Sequence, residues 1–336
     1  MTIRPFDALM LPEAGRLLAE RQRRVRRIHS RFPDTFDSEA EATQLVTALH
    51  ARPGRTGAAA FDGGRMIAFL LAERVTDMLW GRALWMRLPG MAVAGEDGEV
   101  LRDLYAAVAA PPVLQGCFHH FAVVPVAEAG MVRAFFSLAF GIEQVHGIVD
   151  LTEVSTDPPS LPPGVTIRQA GSGDREILES LSGTIWEHQV LAPVWGIHLP
   201  ETQAERRKSY GDMADDQEAL VHIAFVDGEP AGLQGYFPPE KEGLPDMLMR
   251  ENGLELCVGG TKAEFRGRGI ATAMTQTAFH AARVAGCRYI LTDWRSTNLL
   301  SSRFWPRRGF VPVAYRLARR VDDRILWAGR QRTELL

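Results

Sequence analysis

The stretch that decides the fold is Arg266-Gly267-Arg268-Gly269-Ile270-Ala271. Ahead of it an apolar run, Leu254–Thr261, reads as a strand; behind it, Ile270, Met274, Ala278, Ala281 and Val284 keep the i, i+3/i+4 spacing of an amphipathic helix that Gly286 ends. A helix N-terminus carries unpaired N–H groups and about half a positive charge. Gly267 and Gly269 leave the backbone bare at that point, and Arg266 and Arg268 add charge, so the turn has the chemistry to take a pyrophosphate. Two other phosphate patterns fail: no G-x-x-x-x-G-K-S/T string occurs, and G-x-G-x-x-G breaks at Thr272. The pattern Q/R-x-x-G-x-G/A is met by Arg266, Gly269 and Ala271.

The elements around the turn order themselves. A strand at Val165–Arg168 precedes a helix over 173–187, with Asp174 and Glu176 at its positive end. A loop rich in Trp, His and Pro (186–201) leads to a second helix over 201–213. Asp227-Gly228 turns a hairpin between Leu220–Val226 and Ala231–Phe237. After the glycine turn and its helix come a strand at Tyr289–Asp293, a short helix at Leu299–Arg307 and a strand at Val311–Ala318. This is an α/β layered domain with a mixed sheet.

A second block, Asn298-x-x-Ser301-x-x-Phe304-Trp305-x-x-x-Gly309-Phe310, follows about thirty residues on. With both blocks in this order, residues 165–330 resemble the GNAT superfamily of acetyl-CoA-dependent N-acetyltransferases, whose members carry N-x-x-A-x-x-L/F-Y-x-x-x-G-F here. The resemblance implies a mixed sheet splayed between its fourth and fifth strands, with acetyl-CoA in the splay and no metal. It implies that Arg266, Gly267, Arg268, Gly269, Ile270 and Ala271 hold the pyrophosphate, and that Gly259-Gly260-Thr261 meets the pantetheine arm and polarises the acetyl oxygen. Asn298, Ser301 and Trp305 complete the cofactor site. Glu255, eleven residues before the motif arginine, stands where some members carry a general base; an outward-facing strand glutamate is the competing reading. Trp305 replaces the tyrosine that usually serves the leaving thiolate and has no proton to give near neutral pH. Tyr315 is the favoured substitute acid, ahead of Ser301, Ser302 or a water. The family's acceptor pocket maps onto Trp186, Glu187, His188, Trp195 and His198, which suit a small-molecule amine and suit equally the closing of a core.

The chain repeats itself. Thr2-Ile3-Arg4 recurs as Thr166-Ile167-Arg168, and the strand–turn pattern at 58–64 recurs at 222–228. Between the copies, Ser155–Gly164 holds four prolines and reads as a semi-rigid linker. The expected organisation is a GNAT-like domain at 1–154, the linker at 155–164 and the acetyltransferase domain at 165–336. The first copy is worn: Gly95-Glu96-Asp97-Gly98-Glu99 places three carboxylates where a pyrophosphate needs positive potential. Counting back from Gly141 puts Gly130 and Ser137 at the Asn and Tyr positions. The first half is therefore expected to be structural or to shape the substrate pocket. The resulting function is acetyl transfer to a small amine by direct transfer in a ternary complex; a catalytically silent acyl-CoA-binding protein is the alternative.

Composition bounds the rest. A formal net charge of −3, spread evenly over the two halves, disfavours a nucleic-acid partner. Three lysines against 35 arginines point to GC-rich codons and a bacterial source. The run of arginines at 21, 23, 24, 26, 27 and 31 reads as the solvated face of an amphipathic helix. Cys117, Cys257 and Cys287 are widely spaced without a metal pattern, as in a reduced cytoplasmic protein, and no apolar run reaches the ~18 residues of a membrane span.

Overall fold

The computed structural model of the chain describes residues 1–240 and 243–328; the end of the 165–336 segment lies outside the described residues. The first 150 residues form β1 (Thr2–Pro5), α1 (Leu11–Ile28), α2 (Glu39–Ala51), β2 (Arg55–Asp62), β3 (Arg65–Asp77), β4 (Gly81–Met86), β5 (Met91–Val93), α3 (Val100–Leu114), β6 (His119–Pro125), α4 (Ala129–Ser137) and β7 (Gly141–Asp150). Then follow β8 (Val165–Gln169), α5 (Arg175–Leu181), α6 (Trp186–Gln189), α7 (Gln203–Asp212), β9 (Leu220–Val226), β10 (Glu229–Phe237), β11 (Gly253–Thr261), α8 (Ile270–Val284), β12 (Tyr289–Arg295), α9 (Ser301–Phe304), β13 (Val311–Arg320) and α10 (Ile325–Ala328). The helix expected over 173–187 is two pieces, α5 and α6. Asp174 precedes the first: it accepts from Gly171 N (2.9 Å) and binds Arg168 in bidentate fashion (2.6 and 2.7 Å).

Two compact units result. One is Met1–Val145 with a segment ending at Met247 and the C-terminal strand from Val313; the other is His146–Glu240 with Leu248–Pro312. In the first unit β1, β2, β3 and β4 pair antiparallel, β4 pairs parallel with β6, and β6 pairs antiparallel with β13 over Ala314–Arg320. Leu317 of β13 is fully buried among Leu84, Leu104, Phe135 and their neighbours. In the second unit β8, β9, β10 and β11 pair antiparallel, and β11 pairs parallel with β12 only over Gly253–Leu256 against Tyr289–Thr292. Beyond those four pairs the two strands part, which is the expected splay between the fourth and fifth strands.

The compact units do not follow the boundary expected at residue 154. The second part of β7 belongs to the second unit, where Leu151 N donates to Arg288 O (2.8 Å) and Asp150 pairs with the Arg288 guanidinium (2.8 Å). Burial raises the Asp150 carboxyl, but hydrogen bonds from Arg288 and Thr152 outweigh this and hold it at about 2. β13 thus completes a unit built mainly from the first half of the chain, and the second part of β7 joins the unit built mainly from the second half. Local sequence pattern marks a strand but not which sheet edge receives it. The proline-rich segment contains no helix or strand and lies along α8: His280 Nδ1 bonds Thr156 O (3.0 Å), and Pro162 approaches Gly269.

Truncating Leu317 to Ala should cost about 2–5 kcal/mol and should act far from its place in sequence. Hydrogen exchange is expected to speed up in α3 and β6 of the first unit and to stay unchanged in α8. Deprotection of α8 with a protected β6 would contradict the assignment of β13 to the first unit.

Candidate active site

The turn before α8 is built by backbone constraint. Gly267 and Gly269 adopt φ of +77° and +79°, the left-handed region that side chains other than glycine's rarely tolerate. A Cβ on Gly267 would meet nothing within 4 Å, and one on Gly269 only Pro162 Cγ at 3.5 Å, so the turn faces open space. No side chain caps α8. Its first N–H groups, without partners inside the helix, are therefore available to an anion. Arg266 is anchored by a bond from Nε to Thr261 O (3.0 Å) and lies beside them.

This turn forms one end of a cleft of about 370 Å³ in the second unit. One wall is β11 beyond its last pairing with β12. Cys257 is a bulge there, because Gly235 and Tyr236 of β10 pair with Val258 and Leu256 and skip it. The floor carries Gln234, fixed by a buried chain: Tyr236 O–H donates to Gln234 Oε1 (2.7 Å), Gln234 Nε2 donates to Thr275 Oγ1 (3.0 Å), and Thr275 Oγ1 donates to Ala271 O (2.9 Å). The opposite wall is α9 with Trp305, whose ring packs edge-on against Phe304 and Phe310. From α5–α6, Thr184 and Ile185 close over Gly260, where an added Cβ would come within 2.8 Å of Thr184. Thr261 Oγ1 and Ser301 Oγ, both on lining residues, are buried without a hydrogen-bond partner among the described residues.

Most residues expected from the sequence meet here. Gly259, Gly260, Thr261, Arg266, Gly267, Gly269, Ile270, Ala271, Asn298, Ser301 and Trp305 all line the cleft. Arg268 is exposed and is not in the lining. Asn298 does cap the following helix, its Oδ1 accepting from Leu300 N (3.1 Å) and Ser301 N (3.3 Å), and it faces the cleft as well. Glu255 is not in the lining; it pairs with Phe237 at the other end of β11, four residues from Gly259 or roughly 13 Å at strand rise. Tyr315 is a correction: on β13 it packs against the apolar cluster of the first unit and lines no part of the cleft. Of the other substitutes for the missing tyrosine, Ser301 lines the cleft and Ser302 does not. The expected acceptor residues separate too: His188 reaches the lining, whereas Trp186 stacks on His198 (3.9 Å) outside it. Gln234, Thr184 and Ile185 were not anticipated. A lone glutamine in the small-residue strand Ala231-Gly-Leu-Gln-Gly-Tyr was the available signal for the first; the break between α5 and α6 hid the other two.

Residues 185–310 match the model of the acetyltransferase (GNAT) family. They belong to the GNAT acetyltransferases. The GNAT match spans α6 to α9 and so contains every lining residue of the cleft except Thr184, and this segment is an acyltransferase domain. Solved structures extend the likeness of fold along nearly the whole chain. A GCN5-related N-acetyltransferase from Sphaerobacter thermophilus aligns at 16% identity over 95% of each chain with a TM-score of 0.60. A tandem GNAT protein from the clavulanic acid biosynthesis pathway aligns at 14% identity over 94% of this chain and 97% of its own, TM-score 0.52. A glucosamine N-acetyltransferase region of a fungal multi-domain β-N-acetylglucosaminidase aligns at 16% identity over 94% of this chain and 38% of its own, TM-score 0.56. No curated protein matches the chain.

The first unit repeats the GNAT element order but fills the matching space with its own side chains. Ala139 (φ +60°) and Gly309 (φ +89°) each precede a buried phenylalanine, Phe140 and Phe310. Aligning those positions sets Glu128 against Asn298 and the fully buried Phe135 against Trp305. The count from Gly141, which gave Gly130 and Ser137, was displaced by two because glycine and phenylalanine occur in reverse order in the two copies. Arg21, expected on a solvated face, is fully buried and donates to Leu88 O (2.7 Å) and Met91 O (2.6 Å). Burial lowers its guanidinium to about 10, so it keeps its charge at neutral pH. Arg24 donates to Val93 O (3.0 Å) and pairs with Glu128 (3.1 Å). The Met91 and Val93 carbonyls lie on β5, which pairs antiparallel with β3 as β11 pairs with β10 beside the cleft of the GNAT domain. The acidic loop closes the rest: a Cβ on Gly130 would lie 1.9 Å from Glu96 O.

Replacing Arg24 by Ala strands the buried Glu128 carboxylate and should cost about 3–5 kcal/mol, whereas replacing both by Met should recover most of it. Urea unfolding of the three variants checks this. A double variant as unstable as the single would show that the pair does not hold this region together.

Proposed function

We propose that the second unit transfers an acetyl group from acetyl-CoA to the amine of a small molecule, both bound together in the cleft. The observation that carries the reading is the uncapped start of α8, bared by two left-handed glycines at one end of a cleft running into the β11–β12 splay. The residues present fit the donor. The N–H groups of 269–271 with Arg266 suit a pyrophosphate, the unpaired edge of β11 at Gly259–Thr261 suits an amide-bearing arm, and the orphaned hydroxyls of Thr261 and Ser301 suit its polar groups. Bound there, acetyl-CoA supplies the activated acyl group. Backbone N–H groups of β11 freed by the bulge would polarise its carbonyl, and Ser301 Oγ is the lining hydroxyl best placed in sequence to meet the thiolate, given Trp305 in place of tyrosine. Half-buried aromatic and apolar walls would exclude water from the reaction. No group of three or more metal-ligating side chains occurs among the described residues, and no described helix is long and apolar enough to cross a membrane.

The test is release of CoA thiol from acetyl-CoA with a panel of polyamines, aminoglycosides and amino-sugar thiols. Turnover above the hydrolysis blank is expected with at least one amine. CoA that binds at micromolar affinity without any turnover would contradict the transferase reading and leave a silent acyl-CoA binder. Gly269→Asp caps α8 with a carboxylate where phosphate should sit. It is expected to weaken CoA binding roughly 100-fold or more, a loss of about 2.7 kcal/mol, in calorimetry; unchanged affinity would remove the turn from the site.

A further inference from the structure

We infer that His188 is the proton acceptor for the amine, and that Asn298 positions it by fixing which ring nitrogen carries the hydrogen. This rests on the proposed transferase reading and deepens it by naming the base. His188 Nε2 lies 3.2 Å from Asn298 Oδ1. That oxygen already accepts from Leu300 N and Ser301 N, so the amide cannot be turned to offer its NH₂ group to both backbone donors. The contact with Nε2 can only be a hydrogen bond that Nε2 donates. In the neutral ring Nδ1 then keeps its lone pair. Nδ1 has no partner among the described residues, and His188 is half-buried in the cleft lining.

The surroundings suit the role. Among the described lining residues Arg266, at the turn end of the cleft, carries a formal charge, and Glu187 lies beside His188 on α6, its carboxylate against Gly183. Thr184, in the turn that leads into α6, rests on Gly260 of β11. α6 therefore carries the imidazole to the wall that faces the splay, while Glu255 remains on β11 outside the lining. An acceptor R–NH₃⁺ loses one proton to Nδ1. The freed lone pair forms the C–N bond as the C–S bond breaks, a second N–H proton reaches the departing thiolate, and His188 returns its proton to water. The products are the amide, the thiol and one proton.

In the first unit Glu128 takes the Asn298 place and meets Arg24 instead of an imidazole. The copy with the filled space has thus also lost the pair.

NMR of the imidazole nitrogens in the full chain, with His188→Gln used to assign the signal, should show the Nε2–H tautomer in the neutral ring. An Nδ1–H tautomer would overturn the inference whatever the activity. In turnover with any accepted amine, His188→Gln should lower kcat about 100-fold and leave CoA affinity within threefold. Asn298→Ala should mix the tautomers and lower kcat, whereas Asn298→Asp, which keeps an oxygen acceptor at that place, should recover the Nε2–H tautomer. Full turnover in His188→Gln with loss in Glu255→Gln would assign the base to Glu255 instead. A wild-type chain that turns over no amine fails the transferase reading and the base together, while the tautomer remains decided by NMR.

Discussion

Strands β11 and β12 pair over four residues and then separate, and the second unit is organised around that parting. A strand edge left unpaired inside a fold must find other partners or border a space that something else fills. Here β11 carries a bulge at Cys257, Gly259 and Gly260 leave its faces bare toward Trp305 and Thr184, and α8 begins at the far end of the gap. α9 and α6 form the flanks. Each of these features is costly in isolation: glycines in a strand, a helix without a cap, buried hydroxyls without partners. Together they describe a space shaped for a long, polar ligand with an anionic end.

The first unit shows the alternative resolution of the same constraint. Its β4 and β6 also pair over four residues, Ala83–Met86 with His119–Ala122. The edge that follows is satisfied internally, by Arg21 and Arg24 reaching the carbonyls of β5 and by Glu128 neutralising one of them. A buried guanidinium bonded to backbone carbonyls does for the first unit what a ligand would do for the second. The acidic loop at 95–99 therefore stands beside a second obstacle to a phosphate there, the Arg21 and Arg24 side chains bonded to the strand carbonyls.

Much of this was legible in the sequence because it is local. The hairpin at Asp227-Gly228, the glycine turn, the helix from Ile270 and the Asn298 block are each encoded within a few residues, and they fell where expected. What escaped was what depends on distant partners. Arg21 reads as a surface charge because nothing nearby in sequence announces the carbonyls that accept it. Tyr315 and β13 could not be assigned to the first unit, since a strand of alternating apolar residues is equally suited to any open edge. His188 and Asn298 stand 110 residues apart, so each carried an ambiguous reading alone and a definite one only together. The copy of the Asn298 block in the first half was misaligned by two residues because the backbone conformation, and not the glycine letter, is what the two copies share.

The central claim is that one space per chain accepts acyl-CoA, with its pyrophosphate on the turn that opens α8. A crystal structure of the full chain soaked with CoA tests it most directly. One CoA per chain is expected, its pyrophosphate on the N–H groups of residues 269–271, its pantetheine arm along Gly259–Thr261, and Arg21, Arg24 and Glu128 undisturbed. CoA density between β5 and α4, or a second molecule in the first unit, would contradict it.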